Sequence, residues 1–224
     1  MKFYLLLFSF FLFACGNSNS PVTIKNQSEQ NRTEESELII KKINGNIGWK
    51  SEINIDLSNE LNDTKYDDIF NLELNQNDLN LLGCNNYHSF NLSEKKRFII
   101  VFLAAIAERE SDFDPENMTY DPTHKNWNIG LLQIDTKSAI RHAGESLSEE
   151  ELKDPFLNLK VGLSIFKNQV TGKYRSELNG RLFTGKSFYW EVLNDNYKHR
   201  VIKSFINNRF NLPLCQNDLN LEKI

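Results

Sequence analysis

Residues Phe98 to Thr136 read FIIVFLAAIAERESDFDPENMTYDPTHKNWNIGLLQIDT. The opening run, Phe98 to Ala107, is apolar on every side, and a helix apolar all round is a buried one. It then meets Glu108-Arg109-Glu110, three ionisable residues where a buried helix should simply stop. At 3.6 residues per turn Glu110 falls on the line of Ile99, Leu103 and Ile106, so it leaves the helix end toward the interior or a cleft. Two effects then raise its pKa. Desolvation disfavours the carboxylate, and so does the negative end of the helix macrodipole. A carboxyl group held protonated near neutral pH is what a general acid in glycoside cleavage requires. The competing reading is a solvated helix-end charge, like Glu108.

Around this stretch the boundaries follow from caps and breakers. Ser93 is the expected N-cap, although the capping-box position three residues on is Lys96 rather than a glutamate. The helix is then expected over Glu94 to Glu110. Asp114-Pro115 interrupts, because proline disfavours a helical residue before it. Tyr120 to Asn128 reads as a polar loop with Asp121-Pro122 as a turn, and Gly130 to Asp135 as a compact apolar segment. Asp154-Pro155 to Val170 and Asn196 to Phe210 carry two further helical patterns. Strand-like runs are few, so the fold class is mainly α, built around a central buried helix that ends at Glu110.

The N-terminus carries a different message. Met1-Lys2 is a short basic start and Phe3 to Phe13 an apolar run too short to span a bilayer comfortably. Leu12-Phe13-Ala14-Cys15 resembles a bacterial lipoprotein cleavage site, with Cys15 the lipidated residue; ordinary cleavage or an uncleaved anchor is the alternative. Gly16 lacks the acidic residue that marks inner-membrane retention in many such lipoproteins, which leaves the periplasmic face of the outer membrane as the expected location. Residues 1–14 are thus expected to be a signal peptide, 15–65 a flexible tether, and 66–224 the folded domain. Within the tether, Asn44-Gly45 is a hairpin turn or part of a merely sticky linker. The hexapeptide QNDLNL occurs at Gln76–Leu81 and again at Gln216–Leu221, a coincidence of an Asn- and Leu-rich composition.

With 224 residues, 25% charged, 40% hydrophobic and net charge -4, the chain is globular and has no basic footprint for nucleic acid. No Cys/His cluster has metal spacing. His88, His124, His142 and His199 are scattered, so neither metal nor cofactor is expected. Cys84 and Cys215 flank the domain. In an exported protein they form a disulfide or remain two buried thiols.

Glu110-Ser111-Asp112-Phe113-Asp114-Pro115, followed after a loop by Gly130-Leu131-Leu132-Gln133-Ile134, resembles the two signature motifs of the soluble lytic transglycosylase and goose-type lysozyme group. Leu132 stands where that group usually has methionine. Asp135, directly after the second motif, resembles the goose-type aspartate that positions a hydrolytic water. The group's later Ala-Tyr-Asn-Ala-Gly segment is missing. Phe188-Tyr189-Trp190 is the nearest stretch, with Tyr189 either in the tyrosine's role or a core aromatic.

The resemblance implies a lysozyme-like fold and cleavage of peptidoglycan between N-acetylmuramic acid and N-acetylglucosamine, with Glu110 as the general acid. Ser111, Gly130, Leu132 and Gln133 are then expected at the substrate, with Tyr120 and Trp127 as stacking platforms or local packing. Asp135 is either the base that holds a water or the N-cap of a helix starting at Thr136. The first makes a hydrolysing lysozyme. The second leaves a transglycosylase that forms an anhydro product. Partners are expected to be peptidoglycan, and the membrane through a lipid on Cys15, with the chain a monomer. A glycan-binding lipoprotein without turnover is the alternative from another class.

Overall fold

The computed structural model describes residues 49–186, 188–208, 212 and 215. The signal peptide, Cys15, the Asn44-Gly45 turn and the second QNDLNL string lie outside the described residues.

The central helix, α4 in chain order, spans Leu92–Ser111. Its cap is Asn91 and not Ser93. The Asn91 side chain accepts from the Glu94 amide at 3.0 Å while the Glu94 carboxylate accepts from the Asn91 amide at 2.7 Å. Two good cap residues compete here, and only Asn91 has a glutamate at N3 to reciprocate. From Phe98 to Ala107 every side chain is buried. Aromatic rings line it: Phe98 lies 4.7 Å from Tyr87 and 5.4 Å from Phe205, and Phe102 lies 5.7 Å from Phe166 and 5.9 Å from Phe183.

Among the described residues, three α-helices precede α4: α1 (Ser51–Glu60), α2 (Asp67–Asn71) and α3 (Gln76–Leu82). The hairpin β1 (Met118–Asp121) and β2 (Asn126–Ile129) follows it, then α5 (Thr136–Ala143), α6 (Pro155–Val170) and α7 (Lys198–Asn208). Helices α6 and α7 both pack on α4. The hairpin is antiparallel, with Tyr120 opposite Trp127. The stretch expected as a loop is therefore a two-stranded flap, closed by Asp121, whose carboxylate accepts from the Thr123 and His124 amides.

The tether expectation is corrected at its C-terminal end. Helix α1 packs on α6 and α4, burying Ile53 and Leu57, with Leu61 buried just beyond. Trp49 reaches Phe113, ring centroids 6.1 Å apart, just past the end of α4. The folded unit thus includes residues assigned from sequence to the linker, because the i, i+4, i+8 spacing of Ile53, Leu57 and Leu61 makes a helix face even in polar surroundings. Farther on, buried Asp78 of α3 accepts from the Leu182 amide at 2.9 Å and the Phe183 amide at 3.2 Å. Cys84 and Cys215 form a disulfide across a separation of 131 residues.

Leu57 decides whether α1 belongs to the domain. Leu57→Ala is expected to lower unfolding stability by about 2–4 kcal/mol in a denaturant titration. A loss below about 0.5 kcal/mol would return α1 to the linker.

Candidate active site

Helix α4 ends abruptly. Asp112 and Phe113 both take the left-handed conformation, φ 55° and 62°, and the Asp112 amide donates to the Glu108 carbonyl at 3.2 Å. Phe113 is buried. This anchors the helix end and holds the preceding turn, which carries Glu108, Arg109 and Glu110, against the body of the protein. The three residues point to different places. Glu108 is buried, accepting from Arg109 at 2.8 Å and from the Ser204 hydroxyl of α7, so the solvated helix-end charge expected there is corrected to a packed ion pair. Arg109 is half-exposed. Glu110 is half-buried on the other face.

Burial pushes the Glu110 carboxyl up to about 7, with help from the Glu191 carboxylate nearby. Glu191 opens the short 3₁₀ turn Glu191–Leu193, which packs on α4. It is a site residue that the sequence did not signal.

The floor of the site is the turn Ile129–Ile134, closed by paired backbone hydrogen bonds between its ends at 3.1 and 2.9 Å. Gly130 sits at φ +74°, and a Cβ there would stand 2.6 Å from both the Asn158 amide and the Leu152 carbonyl. Only glycine meets both demands. Gln133 also takes a positive φ, 49°, and its amide donates to the Gly130 and Asn117 carbonyls at 3.0 and 3.1 Å. Ser111 is buried and bonds the Leu131 carbonyl at 2.9 Å, joining the end of α4 to this turn. Leu132 has no exposed surface and packs against Gly162 of α6. Its expected contact with substrate is corrected: the side chain is core, because Gly162 leaves a hollow that it fills. Gly130, Ser111 and Gln133 likewise act on the shape of the turn.

Asn158 of α6, absent from the sequence expectations, organises this floor. Fully buried, it donates to the Ile129 and Leu152 carbonyls, both at 2.9 Å, and accepts from the Leu132 amide at 2.9 Å. No local signal marks it, because α6 buries two further amides, Asn168 and Gln169.

Asp135 is buried and is the N-cap of α5. Its Oδ1 accepts from the Lys137 and Ser138 amides at 2.9 and 3.0 Å, and its Oδ2 from the Ser138 hydroxyl at 2.6 Å. Tyr189 lies over the same turn. It donates to the Gln133 carbonyl at 3.3 Å and accepts from the Asp135 amide at 3.4 Å. Trp190 donates to the Leu132 carbonyl at 2.9 Å. Burial first, and the Asp135 charge second, raise the Tyr189 pKa and keep the phenol protonated. Both Asp135 and Glu110 act electrostatically on Tyr189, so the structure gathers these three expected residues at one place. Tyr120 and Trp127 stand together on the hairpin, rings 5.2 Å apart and 48% and 41% exposed. The expected readings of stacking platform and local packing meet in this open pair. No group of three or more His, Cys, Asp or Glu suited to a metal occurs among the described residues.

Two stability measurements test this geometry. Asn158→Ala removes three buried hydrogen bonds to the backbone and is expected to cost about 3 kcal/mol or more in chemical denaturation; a loss under about 1 kcal/mol would contradict its role. Glu110 has a folded pKa of about 7, above the roughly 4.3 of an unfolded glutamate. The native state therefore binds more protons, and ionisation of Glu110 erodes stability as pH rises through that window. Glu110→Gln is expected to melt above wild type at pH 8 and level with it at pH 4; a pH-independent difference would contradict the raised pKa.

Residues 89–181 match the family model of the transglycosylase SLT domain. The fold is similar to that of Bd0314 DslA. The wild-type form 2 structure aligns with TM-score 0.60 at 22% identity, covering 74% of this chain and 91% of that one. A glutamate-to-glutamine mutant of the same protein aligns with TM-score 0.62 at 22% identity, covering 80% and 99%. No curated protein matches the chain. The mainly helical architecture agrees with this match, so residues 89–181 are similar to a transglycosylase SLT domain, with the lysozyme-like fold that such domains have.

Proposed function

We propose that this protein cleaves the glycan strands of peptidoglycan, at the bond between N-acetylmuramic acid and N-acetylglucosamine, by a lytic transglycosylase route. The observation that carries the reading is Glu110, whose carboxyl is raised to about 7 at the rim of a preorganised turn. Protonated Glu110 gives its proton to the glycosidic oxygen, the C1–O bond breaks, and an oxocarbenium-like centre forms at C1. The carboxylate left behind accepts the proton of the sugar's own 6-hydroxyl. That oxygen closes on C1, giving an anhydro product and restoring the acid. One carboxyl group near pH 7 suits both transfers.

Asp135 is the ground for preferring this route to hydrolysis. Both of its oxygens already accept hydrogen bonds from the start of α5, which makes it a cap that fixes the turn, with Tyr189 beside it. Hydrolysis is the second reading, and Glu191 favours it: an exposed acid close to Glu110 is a second carboxyl of the kind that an inverting enzyme uses to hold a water. Tyr120 and Trp127 serve as stacking surfaces for sugar rings.

The N-terminal sequence supports an envelope lipoprotein, anchored through Cys15 at the periplasmic face of the outer membrane and acting there as a monomer.

Mass spectrometry of muropeptides released from purified peptidoglycan tests the reaction. Wild type is expected to yield products one water lighter than hydrolysis would give. They persist with Asp135→Asn, since asparagine also caps helices, and vanish with Glu110→Gln. Activity is expected to hold below pH 7 and fall above it as Glu110 ionises. Reducing-end products, whether they require Asp135 or Glu191, would overturn the transglycosylase route. No products at any pH would overturn catalysis in favour of a glycan-binding lipoprotein.

A further inference from the structure

Four rings run from the floor of the site to the surface. Tyr189, bonded to the Gln133 carbonyl, lies 5.9 Å from the His142 ring. His142 in turn lies 5.8 Å from Phe188 and 5.5 Å from Tyr174, and the Tyr174 and Phe188 planes are 20° apart at 6.3 Å. Three separate parts of the chain supply them: the last turn of α5, the turn after α6, and the segment before Glu191.

The rings are held in place. Buried Asn168 lies 3.2 Å from His142 Nδ1 and donates to the His142 carbonyl at 3.2 Å. The Tyr174 hydroxyl donates to the Arg141 carbonyl at 3.2 Å. Yet Tyr174 remains 48% exposed. Over its ring stands the Lys173 ammonium, 5.3 Å from the centroid, on a long side chain that an incoming ligand can displace. His142 is neutral at physiological pH, since burial and the Arg141 and Lys173 charges depress it to about 4. The charged groups that act on the cluster are thus the cations Arg141 and Lys173, with Asp135 on the inner side.

An aromatic ring that serves only the core gains by leaving water. One fixed by a hydrogen bond and ring neighbours yet left half in solvent is already ordered, so a ligand placed on it meets little further entropy cost. The apolar C–H face of a pyranose fits such a ring, with its hydroxyl and acetamido groups turned to water and to the cationic rim. The inner end of the run is Tyr189, on which the Asp135 and Glu110 charges both act, so the ring series starts beside the acid.

We propose that Tyr174, backed by His142 and Phe188, is a distal glycan-binding subsite that stacks one sugar ring of the strand held at Glu110. It rests on the glycan-cleaving reading above, at a place separate from the Tyr120–Trp127 hairpin.

The test is calorimetric binding of β-1,4-linked N-acetylglucosamine oligomers, three and six sugars long, to the full chain carrying Glu110→Gln, with and without a change at Tyr174. Tyr174→Ala is expected to weaken the hexamer about tenfold, the scale of one aromatic contact, and to leave the trimer unchanged. Tyr174→Phe, which keeps the ring, is expected to stay near the parent. Hexamer affinity unchanged by Tyr174→Ala, equal losses at both lengths, or no hexamer binding at all would overturn the subsite. Cleavage by the chain with Glu110 intact is read separately. Tyr174-dependent hexamer binding without cleavage would sustain the subsite while the catalytic reading fell.

Discussion

Everything at the site depends on the burial of one helix along its whole girth. Helix α4 carries no polar face between Phe98 and Ala107, so the surrounding elements must enclose it. Its last turn is consequently fixed in the wall of the protein and not frayed into water. A carboxyl group on that turn is partly desolvated by position alone, which favours its neutral form. The left-handed pair Asp112-Phe113 completes the arrangement by turning the chain inward immediately afterward. Tyr87, Phe166, Phe183 and Phe205, which enclose the helix, thus help set the ionisation of Glu110.

The second constraint is polar. The Ile129–Ile134 turn presents backbone groups that strands or helices would ordinarily satisfy, and a buried unpaired group is costly. Asn158, Gln133, Ser111, Tyr189 and Trp190 satisfy them instead, from four different parts of the chain. Such a network fixes shape because each member is held by the others. A rigid floor holds the surroundings of Glu110 fixed, and groups already in place need no reorganisation. Several residues expected at the substrate therefore act on the shape of the turn.

What was legible in the sequence follows from what is local. The buried helix and the direction of Glu110 can be read from apolar residues ending in charges, since both are consequences of helical period. Pro155 at the first turn of α6 and its Asp154 cap were equally plain. Helix α1 was hidden because only three large apolar residues mark its buried face, in a stretch otherwise resembling the tether before it. The hairpin escaped because its strands are four residues each, too short for alternation to stand out. For the N-cap of α4, two suitable residues lay within one turn, and only the partner at N3 separated them. The roles of Asn158 and Glu191 depend on contacts 26 or more residues away, and no local pattern records those.

Folding alone raises the Glu110 carboxyl into the neutral range. Carbon-detected NMR titration of the side-chain carboxyl groups, with Glu110 assigned by its loss in Glu110→Gln, measures this directly. The expected inflection lies near 7 and moves down when Glu191 is replaced by glutamine. An inflection at the ordinary glutamate value of about 4.3 would contradict it.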